Sequence, residues 1–419
     1  MNFEPGKYGC ISVGCGVVKP QVLYLSYTGM LEPLGRSQVL SYLLRLSSDY
    51  TFTLASFEKP EDLEDQAPVA SLMRGLKDQG IGWMPHIYHR RPRLFATVWD
   101  LLALMYVSLR LSIRRDVCML HCRSYIPAIS AWLCGKVTRK PFIFDMRAIW
   151  PDEMVTAGRL NERSVFYKTL KWTERRLLRN AASVVSLTGA GVDHLLERYP
   201  ELPREKFEVI TTCVDVDRFG VPERHGLSGR LVDRQPFVVG TMGTLLSGWF
   251  YLDAFFAFFL AIKRLRSDAQ MSIVTRDNQD EIRARAHRAG VGPEDINLRS
   301  ATSEEMPQLL AGMDVGVMFY APDVGRAPTR LGEFLAAGVP VVGNTGIGDL
   351  GRLIAAYEVG VVVDDVYDTA SLEHAAQELL RRYEGILAEG ACRRAAEDYF
   401  SVEQGAERYR QMYQSVLSR

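Results

Sequence analysis

Short apolar runs rich in β-branched residues alternate with segments of helical periodicity along almost the whole chain. This pattern is typical of parallel sheets covered by helices, because strands buried on both faces carry nearly continuous apolar runs. Strands are predicted at Val22–Ser26, Phe52–Ser56, Gly82–His86, Val117–His121, Phe142–Asp145, Ser183–Leu187, Glu208–Thr211, Phe237–Thr241, Met271–Val274, Ile296–Leu298, Val315–Phe319, Val339–Val342 and Gly360–Val363. Helices are predicted between them at about 37–47, 67–79, 94–114, 125–135, 161–180, 189–198, 250–266, 279–289, 303–312, 328–337, 347–355 and 369–383.

The alternation is interrupted once, by the polar segment FGVPERHGLSGRLVDRQP, which is rich in Gly and Pro. With 419 residues, the chain is long enough for two domains. We therefore expect two doubly wound, Rossmann-like α/β domains, over 1–220 and 237–400, joined by a linker over 221–236. An amphipathic tail from about 386 to 418 should cross both halves, with 401–419 packing on the first domain. A ligand is expected in the cleft between the carboxyl ends of the two sheets.

Charge is balanced over the whole chain but concentrated locally. Lys plus Arg and Asp plus Glu both number 50, so net charge does not favour a nucleic acid partner. Between 90 and 180, however, there are 18 basic and 7 acidic residues. This region contains the apolar segment Leu94–Ile113, in which Asp100 and Arg110 oppose insertion across a bilayer. We expect a surface helix here and an anionic membrane as partner; the alternative is that the charges are solvated around the domain.

The cysteine pattern and the first residues bear on location. The 7 cysteines are scattered and lack the paired spacing of a zinc site, and the 7 histidines form no metal-binding spacing. Residues 1–20 lack the apolar core and cleavage site of a secretory signal. We expect buried thiols, a cytoplasmic protein that is peripheral at most on the inner face of the membrane, and no metal or other cofactor.

The segment from Ala327 to Asp349, APTRLGEFLAAGVPVVGNTGIGD, contains the most specific candidate site. Thr329 and Arg330 follow a proline suited to a first helical turn, where backbone N–H groups and the helix dipole attract an anion. Glu333 lies one turn further on the same face as Thr329. A carboxylate beside this anion site favours the binding of ribose hydroxyls and phosphate; the alternative is a solvated surface helix.

The same segment resembles a known signature. PTRLGEFLAAGVPVV, at 328–342, is similar to the donor site of retaining glycosyltransferases of the GT-B fold, family 4, and especially to the envelope-polysaccharide type. Further stretches match in order over roughly 20–400: LGRSQVLSYLLRLS, DVCMLHCRS, PFIFDMRAIWPDE, ASVVSLTGAGVDHLLERYP, FEVITTCVDVDRF and GTMGTLLSGW. The resemblance implies transfer of a sugar from a nucleotide diphosphate sugar to a carbohydrate or lipid-linked acceptor.

The resemblance also implies roles for residues of the second domain. Glu333 matches the carboxylate that binds the nucleotide ribose, whereas Gly325 replaces the first signature Glu, which touches the donor sugar. Either Asp323 takes over that contact or backbone groups hold the sugar. The family's diphosphate-binding Arg and Lys are missing after the first strand of this domain, so another arginine must supply the charge. The expected donor-binding residues are Gly243, Thr244, Arg276, Asp323, Arg326, Thr329, Arg330, Leu331 and Glu333.

In the first domain, Arg147 matches a position where the family has a His near the reacting sugar. Arg147 cannot exchange a proton, so we expect it to contact donor phosphate or sugar hydroxyls, unless it forms a structural ion pair with Asp145 or Asp152. The loop between Tyr27 and Gln38 matches the acceptor side, and its helix start is suited to an acceptor phosphate. The expected acceptor-binding residues are Gly29, Gly35, Arg36, Ser37 and Gln38.

These assignments predict a metal-independent, retaining glycosyltransferase in which Arg147, Arg330 and Glu333 have the main roles at the reacting centre. Two alternatives remain open at the level of sequence. A non-catalytic nucleotide-sugar-binding subunit would show the same loss of the first signature Glu, at Gly325. A nucleotide-sugar epimerase of the same fold would need acid and base side chains that the sequence does not place in the cleft.

Overall fold

Each half of the chain forms a parallel sheet, as the alternation of apolar runs predicts. The structure, a computed structural model, describes residues 19–89, 93–114, 117–220, 236–388 and 390–419. The first sheet in this part of the chain contains β1 Gln21–Ser26, β2 Thr51–Glu58, β3 Ile81–Ile87, β4 Val117–Arg123, β5 Phe142–Met146, β6 Ser183–Ser186 and β7 Phe207–Val209. The second contains β8 Val238–Met242, β9 Gln270–Val274, β10 Ile296–Arg299, β11 Val315–Met318, β12 Val341–Asn344 and β13 Gly360–Val363.

The strand order locates a crevice in each sheet. It is β3-β2-β1-β4-β5-β6-β7 in the first sheet and β10-β9-β8-β11-β12-β13 in the second. The direction of winding therefore reverses between β1 and β4, and again between β8 and β11. In doubly wound folds ligands bind at the carboxyl edge beside such a reversal. Two Rossmann-like parallel-sheet domains are thus confirmed.

Burial on both faces explains why the strands are apolar throughout. In β1, Val22 and Tyr24 pack into one core of the first domain, whereas Leu23 and Leu25 pack into the core on the other side of the sheet. The second domain has a core of its own, in which Phe255 and Phe259 are among the fully buried side chains. Removal of this apolar surface from water, at roughly 25 cal/mol per Å², is the main stabilising contribution to each domain.

The helices mostly occupy the predicted intervals. The described ones are α1 Pro33–Gly35, α2 Ser41–Leu46, α3 Pro60–Glu64, α4 Gln66–Asp78, α5 Arg93–Arg114, α6 Tyr125–Thr138, α7 Trp150–Thr156, α8 Val165–Asn180, α9 Gly189–Arg198, α10 Leu252–Leu265, α11 Gln279–Arg288, α12 Met306–Ala311, α13 Thr329–Ala336, α14 Leu350–Tyr357, α15 Thr369–Ala388, α16 Ala391–Ala395 and α17 Val402–Leu417. The sequence missed α3 and α7, which are short and have proline in the first turn. A π-helical turn, Arg36–Leu40, joins α1 to α2.

The C-terminal tail joins the two domains, although it is not one continuous helix. Ser401 is extended and separates α16 and the following π-helical turn, Ala396–Phe400, from α17. Here the chain runs beside Val214, whose N–H donates to the carbonyl of Phe400 (2.7 Å) and whose carbonyl accepts from Val402 (3.0 Å). Tyr409 and Tyr413 of α17 then lie in the core of the first domain. The predicted linker, except Pro236, lies outside the described residues, as do Cys10 and Cys15.

Helix α5 packs on the first domain by one face. Asp100, Leu104 and Leu111 are buried, and the Asp100 carboxylate accepts a hydrogen bond from the Tyr27 hydroxyl (2.7 Å) and contacts His89 Nδ1 (2.6 Å). The opposite face exposes large apolar side chains: Phe95, Val98, Trp99, Leu102, Tyr106 and Ile113. By length and composition alone, the segment Phe95–Ile113 is also long and apolar enough to cross a membrane.

The carboxylate of Asp349 connects the two domains. It lies just before α14 in the second domain and accepts from the N–H groups of Gly189 (2.6 Å) and Ala190 (3.0 Å), at the start of α9 in the first. Arg352 and the Tyr399 hydroxyl also bind this carboxylate. A negative charge at a helix N-terminus is favourable, because it pairs with unsatisfied N–H groups and with the helix dipole.

We expect Asp349→Ala to loosen the contact between the domains and to lower the free energy of unfolding by about 2–3 kcal/mol, because buried charge-assisted hydrogen bonds are lost. Thermal unfolding and small-angle X-ray scattering measure the two effects. Asp193→Ala is a matched control, since Asp193 is 60% exposed and lies 3.9 Å from the same Arg352. An Asp349→Ala protein with the parent's melting temperature and radius of gyration would contradict this role.

Candidate functional site

The carboxyl edges of the two sheets meet at the junction, and the candidate residues lie around it. The Thr188 hydroxyl, after β6, donates to the Val324 carbonyl, after β11, over 2.6 Å. The Thr212 hydroxyl, after β7, donates to the Ala327 carbonyl over 3.1 Å. The segment before α13 is therefore held against the first domain, beside the crevice of the second sheet.

Arg330, in the first turn of α13, is the arginine whose side chain contacts the loop after β8. Its Nη2 donates to the Thr244 carbonyl (2.9 Å), and its guanidinium lies over the rings of Phe250 and Tyr320, at 5.5 and 5.3 Å from their centroids. Its Nη1 is buried and has no hydrogen-bond partner among the described residues. At Gly243, with φ of 89°, a Cβ would lie 2.7 Å from Nη2, so the glycine permits this approach. The structure thus brings Gly243, Thr244 and Arg330 together.

The N–H of Gly243 is not free to bind a phosphate. This N–H donates to the Val274 carbonyl over 2.7 Å, because the end of β8 is still paired with β9. The next amides are engaged as well: those of Leu245 and Leu246 donate to the carboxylate of Asp277, at 2.6 and 2.8 Å. Of the four amides from Gly243 to Leu246, that of Thr244 has no hydrogen-bond partner in the described part of the chain.

Arg326 and Asp323 are bound to each other. Arg326 Nη2 lies 3.2 Å from Asp323 Oδ2, and its guanidinium is stacked on Trp249 at 4.4 Å. Asp323 Oδ1 accepts from the amide of Gly325 over 2.9 Å. Both oxygens of Asp323 are therefore occupied, which opposes the hypothesis that it replaces the missing carboxylate at the donor sugar. Gly325 itself packs against the other domain, where a Cβ would lie 3.1 Å from Ile149.

Glu333 lies on α13, close enough to Arg330 and Arg218 for their charges to act on it. Burial raises the pKa of the Glu333 carboxyl to about 7, and the two arginines only partly oppose this shift. Its side chain makes no hydrogen bond to any described residue. A half-neutral carboxyl with free oxygens is suited to accept or donate hydrogen bonds to hydroxyl groups of a ligand.

The structure shows no contact between the other expected donor-binding residues and the guanidinium of Arg330. Thr329 is the first residue of α13, and Pro328 precedes the helix instead of lying in its first turn as predicted. Leu331 is buried in the core of the second domain. Arg276 is exposed after β9, and no described contact joins it to Arg330.

On the acceptor side, Gly29 and Gly35 permit a close approach of backbone. A Cβ on Gly35 would lie 2.0 Å from the Gly29 carbonyl oxygen. Glu58, at the end of β2, holds this loop, since its fully buried carboxylate accepts from the amides of Met30 (2.8 Å) and Leu31 (3.1 Å). Sequence reasoning missed Glu58, because a charged residue at the end of an apolar strand gives no indication of its partner.

The predicted helix start at Arg36, Ser37 and Gln38 is wrong, because α1 begins earlier, at Pro33. A proline at the first position fixes the backbone for a helix, so the first turn forms before these residues. Arg36 and Ser37 are exposed in the π-helical turn, whereas Gln38 is buried.

Arg147 joins this acceptor side to the centre of the first sheet. Its Nη2 donates to Gln38 Oε1 (3.3 Å) and its Nη1 to Asp145 Oδ1 (3.2 Å). Asp145 also binds His121 and the Tyr409 hydroxyl of α17, at 3.3 and 3.1 Å. Burial opposes ionisation of Asp145, but Arg147 and His121 outweigh it and lower its pKa. Arg147 therefore forms an ion pair with Asp145, and that ion pair leaves 11% of the Arg147 side chain exposed.

Asp152 has other partners. Its carboxylate binds Lys171 and the Tyr167 hydroxyl, at 3.1 and 2.7 Å, so it does not serve Arg147. Among the described residues, no group of three or more His, Cys, Asp or Glu side chains is placed to hold a metal ion.

Comparison with known proteins identifies a family model for each half of the chain. Residues 43–218 match the model of Glycosyltransferase Family 4, and residues 236–382 match the model of Glycosyl transferases group 1. No curated protein sequence matches the chain significantly.

Several solved structures share the fold. A glycosyltransferase from Rickettsia africae is 17% identical with a TM-score of 0.69, covering 95% of this chain and 99% of its own. HepE from Anabaena, in complex with UDP and glucose, is 15% identical with a TM-score of 0.67, covering 94% and 100%. WaaG, a glycosyltransferase involved in lipopolysaccharide biosynthesis, is 14% identical with a TM-score of 0.63, covering 92% and 98%. The two domain matches and this shared architecture show that the chain belongs to the glycosyltransferases of the GT-B fold.

Proposed function

We propose that this glycosyltransferase moves a sugar from a nucleotide diphosphate sugar to a hydroxyl of a carbohydrate or lipid-linked acceptor, in the synthesis of a cell-envelope polysaccharide. The observation that carries the proposal is Arg330, whose buried Nη1 has no partner beside the loop of Gly243 and Thr244. That HepE is a structural neighbour in complex with UDP supports a nucleotide donor.

The chemical task is to stabilise a leaving group. When the nucleotide diphosphate departs, negative charge develops on its phosphate oxygens and positive charge on the sugar. A cation already fixed in a partly dehydrated crevice stabilises this charge without reorganising, which is often the largest contribution to catalysis. Arg330 is fixed by its bond to Thr244 and by the rings of Phe250 and Tyr320. We propose that it takes the place of a metal ion and of the family's missing Arg and Lys.

We propose further that the anomeric configuration is retained. Arg147, at the end of β5, keeps its proton at all accessible pH and so cannot act as a base. It is suited to hold the sugar or the departing phosphate from the opposite side of the cleft. In this proposal the transferred group is positioned between Arg147 of the first domain and Arg330 of the second, and Glu333 binds the ribose hydroxyls.

A location on the inner face of the membrane is part of the proposal. Helices α5, α6 and α8 lie side by side on the first domain, and their acidic residues, Asp100 and Glu174, are both fully buried. Among the described residues of these helices, the exposed charged side chains are instead all basic, namely Arg110, Lys136, Lys168, Arg175, Arg176 and Arg179. Aromatic side chains among basic ones are suited to the surface of an anionic bilayer, where a lipid-linked acceptor would be anchored.

The charge of Arg330 can be tested against that of Arg326. We expect Arg330→Ala to lower kcat by about 10²–10³-fold, since it removes a preorganised charge from the leaving group. Arg326→Ala is the matched control and should lower kcat much less, because Arg326 is already paired with Asp323. A panel of nucleotide sugars, screened by thermal shift, supplies the donor, and release of nucleoside diphosphate is followed. Equal loss of nucleoside binding and turnover in Arg330→Ala would favour a non-catalytic binding subunit.

Glu333→Gln should stabilise the protein and weaken nucleotide binding. The pKa is 4.5 in an unfolded chain and about 7 here, so the folded state binds more protons in between. The free energy of unfolding therefore falls as the pH rises from 4.5 to 7, because Glu333 becomes charged in a partly buried site. Gln stays neutral at every pH, so the variant does not lose this stability. We expect a gain of about 2 kcal/mol at pH 8 and none at pH 4, measured by urea unfolding.

The same variant should bind the nucleotide about tenfold more weakly, because Gln cannot accept charge-assisted bonds from ribose. Glu384→Gln, on an exposed face of α15, is the control and should change neither property. Unchanged nucleotide affinity in Glu333→Gln would show that the ribose assignment is wrong.

Vesicle sedimentation tests the membrane surface. We expect binding to vesicles with anionic lipid that disappears at high salt, because charge attraction is screened. Replacing Trp99 and Tyr106, which are 63% and 64% exposed, by serine should reduce binding by about tenfold or more. Tyr367→Ser changes an aromatic residue of the second domain that is 77% exposed and should have no effect. Absence of binding at low salt would refute the proposal.

A further inference from the structure

Arg123 is a buried arginine to which the function described so far gives no role. It is the last residue of β4, its fractional exposure is 4%, and its Nε and Nη1 have no hydrogen-bond partner among the described residues. A buried guanidinium without partners is costly, since burial removes the water that would otherwise bind it. Such a group in a native protein requires a further partner, such as an ordered water, an ion or a ligand.

The charges around Arg123 do not neutralise it. In the sheet it stands opposite Asp145, but the Asp145 carboxylate is already bound by Arg147, His121 and Tyr409. Burial lowers the pKa of His121 and raises that of Tyr409, so both are uncharged near neutral pH. The two positive charges of Arg123 and Arg147 are thus opposed by the single negative charge of Asp145, which leaves an excess positive charge at the edge of the sheet.

The position of this charge is that of a ligand site. Arg123 ends β4, which is next to β1 at the point where the winding of the first sheet reverses. Ser124, the next residue, has φ of 77° and ψ of 178°, a strained backbone conformation for any residue except glycine. Arg147, the other arginine, is hydrogen-bonded to Gln38 on the acceptor side. The donor arginine, Arg330, lies in the other domain.

We propose that Arg123 binds an anionic group of the acceptor, a phosphate or a carboxylate, next to the sugar that Arg147 holds. The inference rests on the proposed transfer function and specifies its acceptor as a molecule that carries negative charge near the reacting hydroxyl. The two unpartnered nitrogens of Arg123 donate to the oxygens of the anion, and the anion compensates the excess charge. Charge-assisted bonds of this kind are short, strong and directional, so they position the acceptor as well as bind it.

The test uses inorganic phosphate and glucuronate as separate probes, on the full chain saturated with the nucleoside diphosphate that binds best. The bound nucleotide fills the donor phosphate site, so that a further saturable rise in melting temperature reports a second anion site. We expect at least one of the two probes to give this rise in the parent. In Arg123→Met its affinity should fall by about 10–100-fold, while nucleotide affinity stays unchanged.

Arg74→Met is the matched control, because Arg74 is an exposed arginine of the same domain, on α4, and it should bind the probes as the parent does. Arg123→Gln provides a second variant in case Met prevents folding. The proposal is overturned if neither probe binds the parent, if Arg123→Met binds them equally well, or if nucleotide affinity falls with that of the probe. Failure of the proposed donor function is distinguishable, because the parent would then bind no nucleotide, and the probes can still be compared without it.

Discussion

The cleft of this enzyme depends on a contact between its domains, in which the N-terminus of a helix in one domain donates hydrogen bonds to a carboxylate of the other. The first turn of α9 has unsatisfied N–H groups, and Asp349 supplies their acceptor. Around this contact the segment before α13 is held against β6 and β7, and Gly325 packs on Ile149. The two crevices, each set by a reversal of strand order, face one another because of this junction.

The candidate site residues differ from most of the interior in how well their charges are compensated. Most buried polar groups are paired, as Lys171 is with Glu174. Among the described residues, by contrast, Arg123 and Arg330 each have at least one buried nitrogen without a partner, and the side chain of the partly buried Glu333 makes no hydrogen bond. These groups reduce the stability of the free protein. A site prepared for charged ligands has this property, because its binding groups remain unsatisfied until the ligand arrives.

Hydrophobic periodicity predicted every strand and most helices, because burial on two faces of a sheet is visible in local sequence. The resemblance identified the segment around Arg330 and Glu333, but it could not say which of several arginines lies on the β8 loop. Arg326 is excluded from that loop because it is paired with Asp323 and lies over Trp249. Trp249 is far from Arg326 in the sequence, and the sequence does not show that Asp323 binds Arg326 instead of a sugar. Arg123, Glu58 and Asp349 were missed for the same reason: their roles depend on contacts between segments far apart in the chain.

The crossing of the C-terminal tail has a consequence for biosynthesis. Tyr409 and Tyr413 of α17 fill the core of the first domain, and the Tyr409 hydroxyl binds the Asp145 carboxylate beneath Arg147. Although domains generally fold in order as they leave the ribosome, this one lacks part of its interior until residues beyond 400 have been made. The apolar surface of its sheet that α17 covers therefore remains exposed while the whole second domain is translated. Chaperones that shield nascent chains would have their greatest effect on this protein during that interval.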